Sequence, residues 1–173
     1  MLFNSFSFAV FLVIAFTSYW TVFYRNKFLR NAFLLIASYV FYGWWDYRFL
    51  ALIAFSTIVD FTVGRAISNT DKSNIRKWLL SASLTVNLGL LGYFKYANFF
   101  IESFVTFSSD VLGFDSNLSS LSIILPVGIS FYTFQTLSYT IDIYRKRLEP
   151  TKDFIEFAAF VSFFPQLVAG PIE

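Results

Sequence analysis

The 173 residues contain no cysteine and no histidine. The first absence removes disulfides, thiolate metal ligands and thiol nucleophiles together. The second removes the side chain most often poised to move protons near neutral pH, so neither a Ser-His-Asp triad nor a histidine-ligated metal can be assembled. Whatever chemistry the chain serves, it does not carry the usual base, and no metal site is expected. Charge is also scarce: 14% of residues are Asp, Glu, Lys or Arg, against about a quarter in an ordinary soluble domain. Hydrophobic residues make up 57% of the chain and the mean hydropathy is +0.61. Such a composition belongs in a lipid bilayer. The net charge of +2 comes from basic residues gathered in short loops, so it reports on topology and gives no footing to nucleic-acid binding.

What is present is a series of uncharged apolar runs separated by charges. Met1 to Tyr24 carries no charge, and about 20 apolar residues cross a hydrocarbon core of ~30 Å, so a first span is expected near 3–24. A signal peptide would need a basic start and a small-residue cleavage pattern, and neither is found. Further spans are expected near 31–46 and 48–64, with Asp46 and Arg48 marking the turn between them, then near 78–95 and 121–141. Arg25 to Arg30, Arg65 to Lys77 and Arg145 to Arg147 are basic loops, which belong on the cytoplasmic face and put the N-terminus outside. Between the last two spans, Asn98, Glu102 and Thr106 recur every fourth residue, with Tyr96, Phe99, Phe100, Phe104 and Phe107 opposite. That pattern predicts an amphipathic helix at 96–107 lying in the outer interface, and Asp110 and Asp115 suit the same face. Trp44, Trp45 and Trp78 fit interfacial anchors, and Lys95 a snorkelling one.

Proline and glycine are sparse, with four and seven residues, but several interrupt apolar runs: Pro126 and Gly128, then Pro165, Gly170 and Pro171. Each break frees backbone polar groups that protein or a wet cavity must satisfy. A broken or re-entrant helix is accordingly expected over 154–173, and the breaks suggest a substrate path. Ser130, Tyr132, Thr133, Gln135 and Gln166 offer hydrogen bonds nearby, whether to a substrate or only between helices. The whole chain, 1–173, reads as one unit: an all-α polytopic transmembrane helix bundle.

Four segments carry a resemblance: ASYVFYGWWDYRFLAL from Ala37, LGYFKYANFF from Leu91, LPVGISFYTFQTLSYTIDIYR from Leu125 and FAAFVSFFPQLVAGPIE from Phe157. In order and spacing they resemble the N-terminal part of the membrane-bound O-acyltransferase family, in its bacterial alginate O-acetyltransferase branch. The D-alanyl transferase for teichoic acid is a more distant cousin. The resemblance implies transfer of acetyl from a cytoplasmic thioester, acetyl-coenzyme A or another, toward hydroxyls of an extracytoplasmic polysaccharide such as alginate. It further implies a bacterial plasma (inner) membrane location, no bound cofactor, and periplasmic or cell-surface acetylation partners. In the family a catalytic histidine lies in helices beyond the GPI or GPV segment. No position here matches it, so the chain is expected to be a truncated part, inert alone. Gln166 stands where some alginate-type relatives have histidine.

Among the charges, Asp60 lies about one turn from the inner end of its expected span, where Arg65 or the interface would accommodate it. Asp142 and Arg145, three residues apart, are spaced for a helical ion pair and, by the resemblance, for shaping the cytoplasmic mouth. Arg145, Lys146, Arg147 and Lys152 would also attract an anionic donor. A transporter or channel subunit explains the broken helices as well, but no acidic residue is expected mid-span. A catalytically silent structural membrane protein is the third reading.

Overall fold

A computed structural model describes residues 5–23, 25–112 and 123–169. Among these the chain is all-helical. Helix α1 (Phe6–Thr21) begins at Ser5, whose hydroxyl accepts the Phe8 N–H at 3.2 Å, and α2 (Lys27–Asp46) begins at Asn26, whose carbonyl oxygen accepts from Phe28 and Leu29. Both are cap residues that satisfy otherwise orphaned helix donors. The α2 run ends because Asp46 turns extended and its carboxylate takes the Arg48 backbone N–H and guanidinium, opening a 3₁₀ turn at Tyr47–Phe49. Next come α3 (Leu50–Ser68) and α4 (Ser73–Leu112). After a stretch without regular secondary structure at 123–126 follow α5 (Ile129–Tyr144), α6 (Phe154–Val161), capped by Asp153, and α7 (Phe164–Ala169).

Contacts between elements fix the direction of each. Lys27 pairs with Glu156 at 2.9 Å, Arg30 lies over the Tyr19 ring, and Arg76 reaches the carbonyls of Ile67 and Tyr144, so these residues share one end of the bundle. At the other end Phe8 and Phe11 meet Phe41, Tyr42 donates to the Val127 carbonyl, and Phe49 meets Phe94. Hence α1, α3 and α5 run one way, and α2, α4 and the α6–α7 pair run back. Every Lys and Arg except Arg48 and Lys95 falls at the first end, called here the basic end. Helices α3, α4 and α5 surround a core of Ile53, Phe61, Ile67, Tyr132 and Ile143. Gly64 lets α3 and α5 pack closely, since a Cβ there would lie 2.9 Å from the Ile143 side chain.

The elements differ from the expected spans in two informative places. Helix α4 does not stop at 95: it runs unbroken for 40 residues, about 60 Å at 1.5 Å per residue. The amphipathic stretch at 96–107 is therefore its second half and no separate element. Asn98 there holds the returning chain, accepting the Ile123 N–H and donating to its carbonyl, both at 2.8 Å, while Phe99, Phe100, Phe104 and Phe107 remain exposed. Helix α5 starts at Ile129 instead of 121, because the Pro126 to Gly128 break precedes it. Of the earlier expectations, those on residues 3, 4 and 24, on 121 and 122, and on Asp115, Gly170 and Pro171 lie outside the described residues. Among the described residues one helical stretch, Lys27–Ser68, which comprises α2, the 3₁₀ turn and α3, is long and apolar enough to cross a membrane by length and composition; Phe6–Thr21 and Phe154–Leu167 are apolar but shorter.

Candidate functional site

The two interruptions singled out in the sequence pack on one another. Gly128 has φ 78°, a left-handed conformation that suits glycine, and a Cβ there would stand 2.5 Å from the Leu167 carbonyl oxygen in α7. Only a residue without a side chain lets α7 lie against the start of α5. The freed backbone groups find protein partners. The Val127 carbonyl accepts from Tyr42 Oη at 2.6 Å, the Phe164 N–H donates to Ser38 Oγ at 3.2 Å, and the Phe160 carbonyl accepts from Gln135 Nε2 at 3.1 Å. The break falls at Ser162 and Phe163, ahead of Pro165, which sits in the first turn of α7 where a missing N–H costs nothing. Over the described residues the segment 154–169 climbs from the basic end to the level of Gly128 as a broken helix.

Beside this junction a half-open groove of about 990 Å³ runs along α5. Lys95 and Ser130 stand at its far end, Gln135 and Gln166 in its middle, and Asp142 and Leu148 toward the basic end. From Ser130 to Asp142 is about 18 Å of helix. Of the residues expected to line a path, Ser130, Gln135 and Gln166 are brought together here, joined by Asp142. Tyr132 is not: it is 2% exposed and belongs to the core on the opposite side of α5, and Thr133 is buried with it. Positions two apart, such as 130 and 132, lie on nearly opposite sides of a helix and cannot both face one groove. Arg145 follows the end of α5, exposed and outside the groove lining. No ion pair joins it to Asp142, which lines the groove instead.

Past Arg145 the chain leaves α5 through Lys146, a non-glycine residue at φ 60°. The N–H of Lys146 bonds the Ile143 carbonyl and that of Arg147 the Asp142 carbonyl. This is a Schellman cap with lysine where glycine is usual. Arg76, 8% exposed, closes the same end by donating to the carbonyls of Ile67, Ile143 and Tyr144.

Asp60 is the residue that sequence reasoning placed wrongly. It lies near the middle of α3 and is fully buried, and Arg65 stacks over Phe61 instead of pairing with it. Its carboxylate accepts from Ser83 Oγ, from Asn87 Nδ2 at 2.8 Å and from Thr140 Oγ1 at 3.4 Å, joining α3, α4 and α5. Ser83 and Asn87, four residues apart on α4, were the available signal: two small polar residues on one face of an apolar helix ask for a polar partner.

No protein-family model matches the chain, and no solved structure does. It is similar to the probable alginate O-acetylase AlgI of Pseudomonas aeruginosa, 44% identical over 146 residues that cover 83% of this chain and 27% of that protein. The protein of the same description from Pseudomonas putida is 42% identical over 145 residues, 83% of this chain and 29% of the relative. The peptidoglycan O-acetyltransferase of Helicobacter pylori is 32% identical over an alignment of 200 residues, covering 99% of this chain and 37% of the relative. The chain thus spans between about a quarter and just over a third of the length of these relatives. On these identities, and with the motifs in their family order, the chain belongs to the membrane-bound O-acyltransferase family.

Proposed function

We propose that this chain forms one wall of a polytopic membrane O-acetyltransferase, and that the groove along α5 is the path of an acyl thioester from the cytoplasm toward an extracytoplasmic polysaccharide hydroxyl. The observation that carries the reading is the groove itself. It extends from the basic end, with Arg145, Lys146, Arg147 and Lys152 nearby, to the opposite end, with uncharged hydrogen-bonding groups between. Basic residues at one end attract the phosphates of an anionic donor and assign that end to the cytoplasm. The N-terminus of α1 is then extracytoplasmic, in a bacterial plasma (inner) membrane. Helices α1 to α5 and the broken α6–α7 pair are the crossings, and the aromatic second half of α4 lies at the outer interface. The general base that removes the hydroxyl proton is supplied by a histidine outside these residues. Alone, the chain forms no ester; its partners in the intact system are the donor, the polysaccharide and periplasmic or cell-surface proteins.

A single introduced cysteine tests the path, because the chain has none of its own. Ser138→Cys faces the groove and Ile58→Cys the outside of α3, where Ile58 is 50% exposed. In lipid nanodiscs, acetyl-coenzyme A is expected to slow maleimide labelling at 138 and leave 58 unchanged. Equal labelling with and without the donor refutes the path. For topology, cysteines at Ser73 and Tyr47 are expected to label from opposite faces, and labelling from one face rejects the crossing pattern. A transporter gains one argument from Asp60, a buried mid-helix carboxyl. That carboxyl, however, is engaged by its neighbours and stands outside the groove.

A further inference from the structure

The hydrogen bonds at the middle of the groove determine which way its two amides face. A backbone carbonyl accepts and never donates, so the Gln135 atom 3.1 Å from the Phe160 carbonyl is its Nε2. The same nitrogen lies 3.3 Å from Gln166, and a donor there requires the Gln166 oxygen to face it. The Gln166 amino group is thereby turned away. It has no partner among the described residues, while the side chain lines the groove. The Phe160 carbonyl is available to orient Gln135 because α6 ends one residue later, leaving its last carbonyls without helical donors. A helix break, a positioning glutamine and a presenting glutamine thus form a chain that ends in two unengaged N–H groups.

Resting on the path reading above, we infer that Gln166 is the carbonyl-reading residue of the groove: its Nε2 donates to the carbonyl oxygen of an acyl thioester, and Gln135 is the positioning residue that holds it. The class of ligand follows from the donor. A neutral amide N–H recognises an uncharged acceptor oxygen without adding charge to an apolar site, and it fits a carbonyl that gains electron density as a nucleophile approaches. Ser138, three residues from Gln135 toward the basic end, also offers a hydroxyl, and Phe131, Phe134 and Phe160 supply apolar walls around a small acyl group. Gln166 reads the oxygen and the phenylalanines limit its size.

The test compares acetyl-coenzyme A with S-ethyl-coenzyme A, a thioether that keeps every feature except the carbonyl oxygen, on the full chain in nanodiscs. One neutral hydrogen bond is worth about a tenfold preference for the thioester. Gln166→Met is expected to bring the ratio to near one, Gln166→His, which keeps an N–H, to retain part of it, and Gln135→Met to weaken it by freeing the Gln166 amide. Gln166→Glu, of equal length without amide protons, replaces the methionine variant should that one fail to fold. Equal binding of the two compounds by the unaltered chain, or an undiminished preference in Gln166→Met, overturns the inference and leaves the path standing. Binding of neither compound overturns the path reading and this inference with it. A loss of thermal stability in Gln166→Met with the preference intact assigns the glutamine to helix packing alone.

Discussion

Replacing Asp60 separates two roles a buried carboxyl can have. In Asp60→Ala, Thr140 loses little, because it shares its single hydroxyl proton between Asp60 at 3.4 Å and the Thr136 carbonyl at 3.0 Å. Ser83 and Asn87 each lose an interhelical bond. Such bonds inside membranes are worth roughly 0.6–1.7 kcal/mol each, so the loss is about 1–3 kcal/mol, on the order of 5 °C in unfolding midpoint for a chain of this size. Asp60→Asn is different. Its amide nitrogen would face that of Asn87, and a half-turn of the Asn87 amide brings forward an oxygen that is buried without a partner in the native arrangement, at the loss of the Asn87 bond to the Ser83 carbonyl. The exchange is expected to cost about 1 kcal/mol, less than Asp60→Ala. Thermal unfolding in nanodiscs, followed by tryptophan emission, measures both. If Asn is as harmful as Ala, the hydrogen-bond geometry is not what the site requires, and the charge itself is; if Ala is harmless, the three-helix tie has no energetic meaning.

Gly128→Ala must both adopt a left-handed backbone and press against the Leu167 carbonyl, so about 3 kcal/mol or more is expected, read as early loss of α7 protection in hydrogen exchange. Arg76→Met leaves the Ile67, Ile143 and Tyr144 carbonyls short of a donor and is expected to cost about 2–4 kcal/mol in thermal unfolding. Arg76→Lys should recover under half of it, since one ammonium cannot span carbonyls that two guanidinium nitrogens reach; full recovery would refute the clamp. Lys146→Gly relieves a left-handed lysine and is expected to stabilise the chain by about 0.4–1 kcal/mol; a destabilised variant would show that the lysine side chain holds this corner.

The helix ends were legible because charge punctuates them: Arg25, Asp46, Arg65 and Arg145 stand at helix ends in sequence and in space. The breaks were legible from Pro126, Gly128 and Pro165. What the sequence did not show was which faces meet. Ser130 and Tyr132 lie two positions apart and cannot share a helix face, yet only the packing of α5 on α3 tells which of them is turned inward. Asp60 was misplaced because α3 continues to Ser68, four residues beyond the expected end, which puts the carboxyl deeper. Lys95 suggested a boundary that α4 does not observe: one long side chain can leave the apolar region sideways, so a charge need not end a helix. The partnership of Gln135 with Gln166 spans 31 residues and depends on a carbonyl freed by a helix end, which no local pattern records.

Helices α3 and α5 point the same way, and each finishes with a partial negative pole of about half an elementary charge. Two halves sum to one unit, and a single guanidinium, Arg76, sits between them and cancels it. Arg145, Lys146 and Arg147 therefore project an undiluted positive field into solution. A neutral residue at 76 would leave that field partly offset from beneath, most visibly where few salt ions are present to screen it.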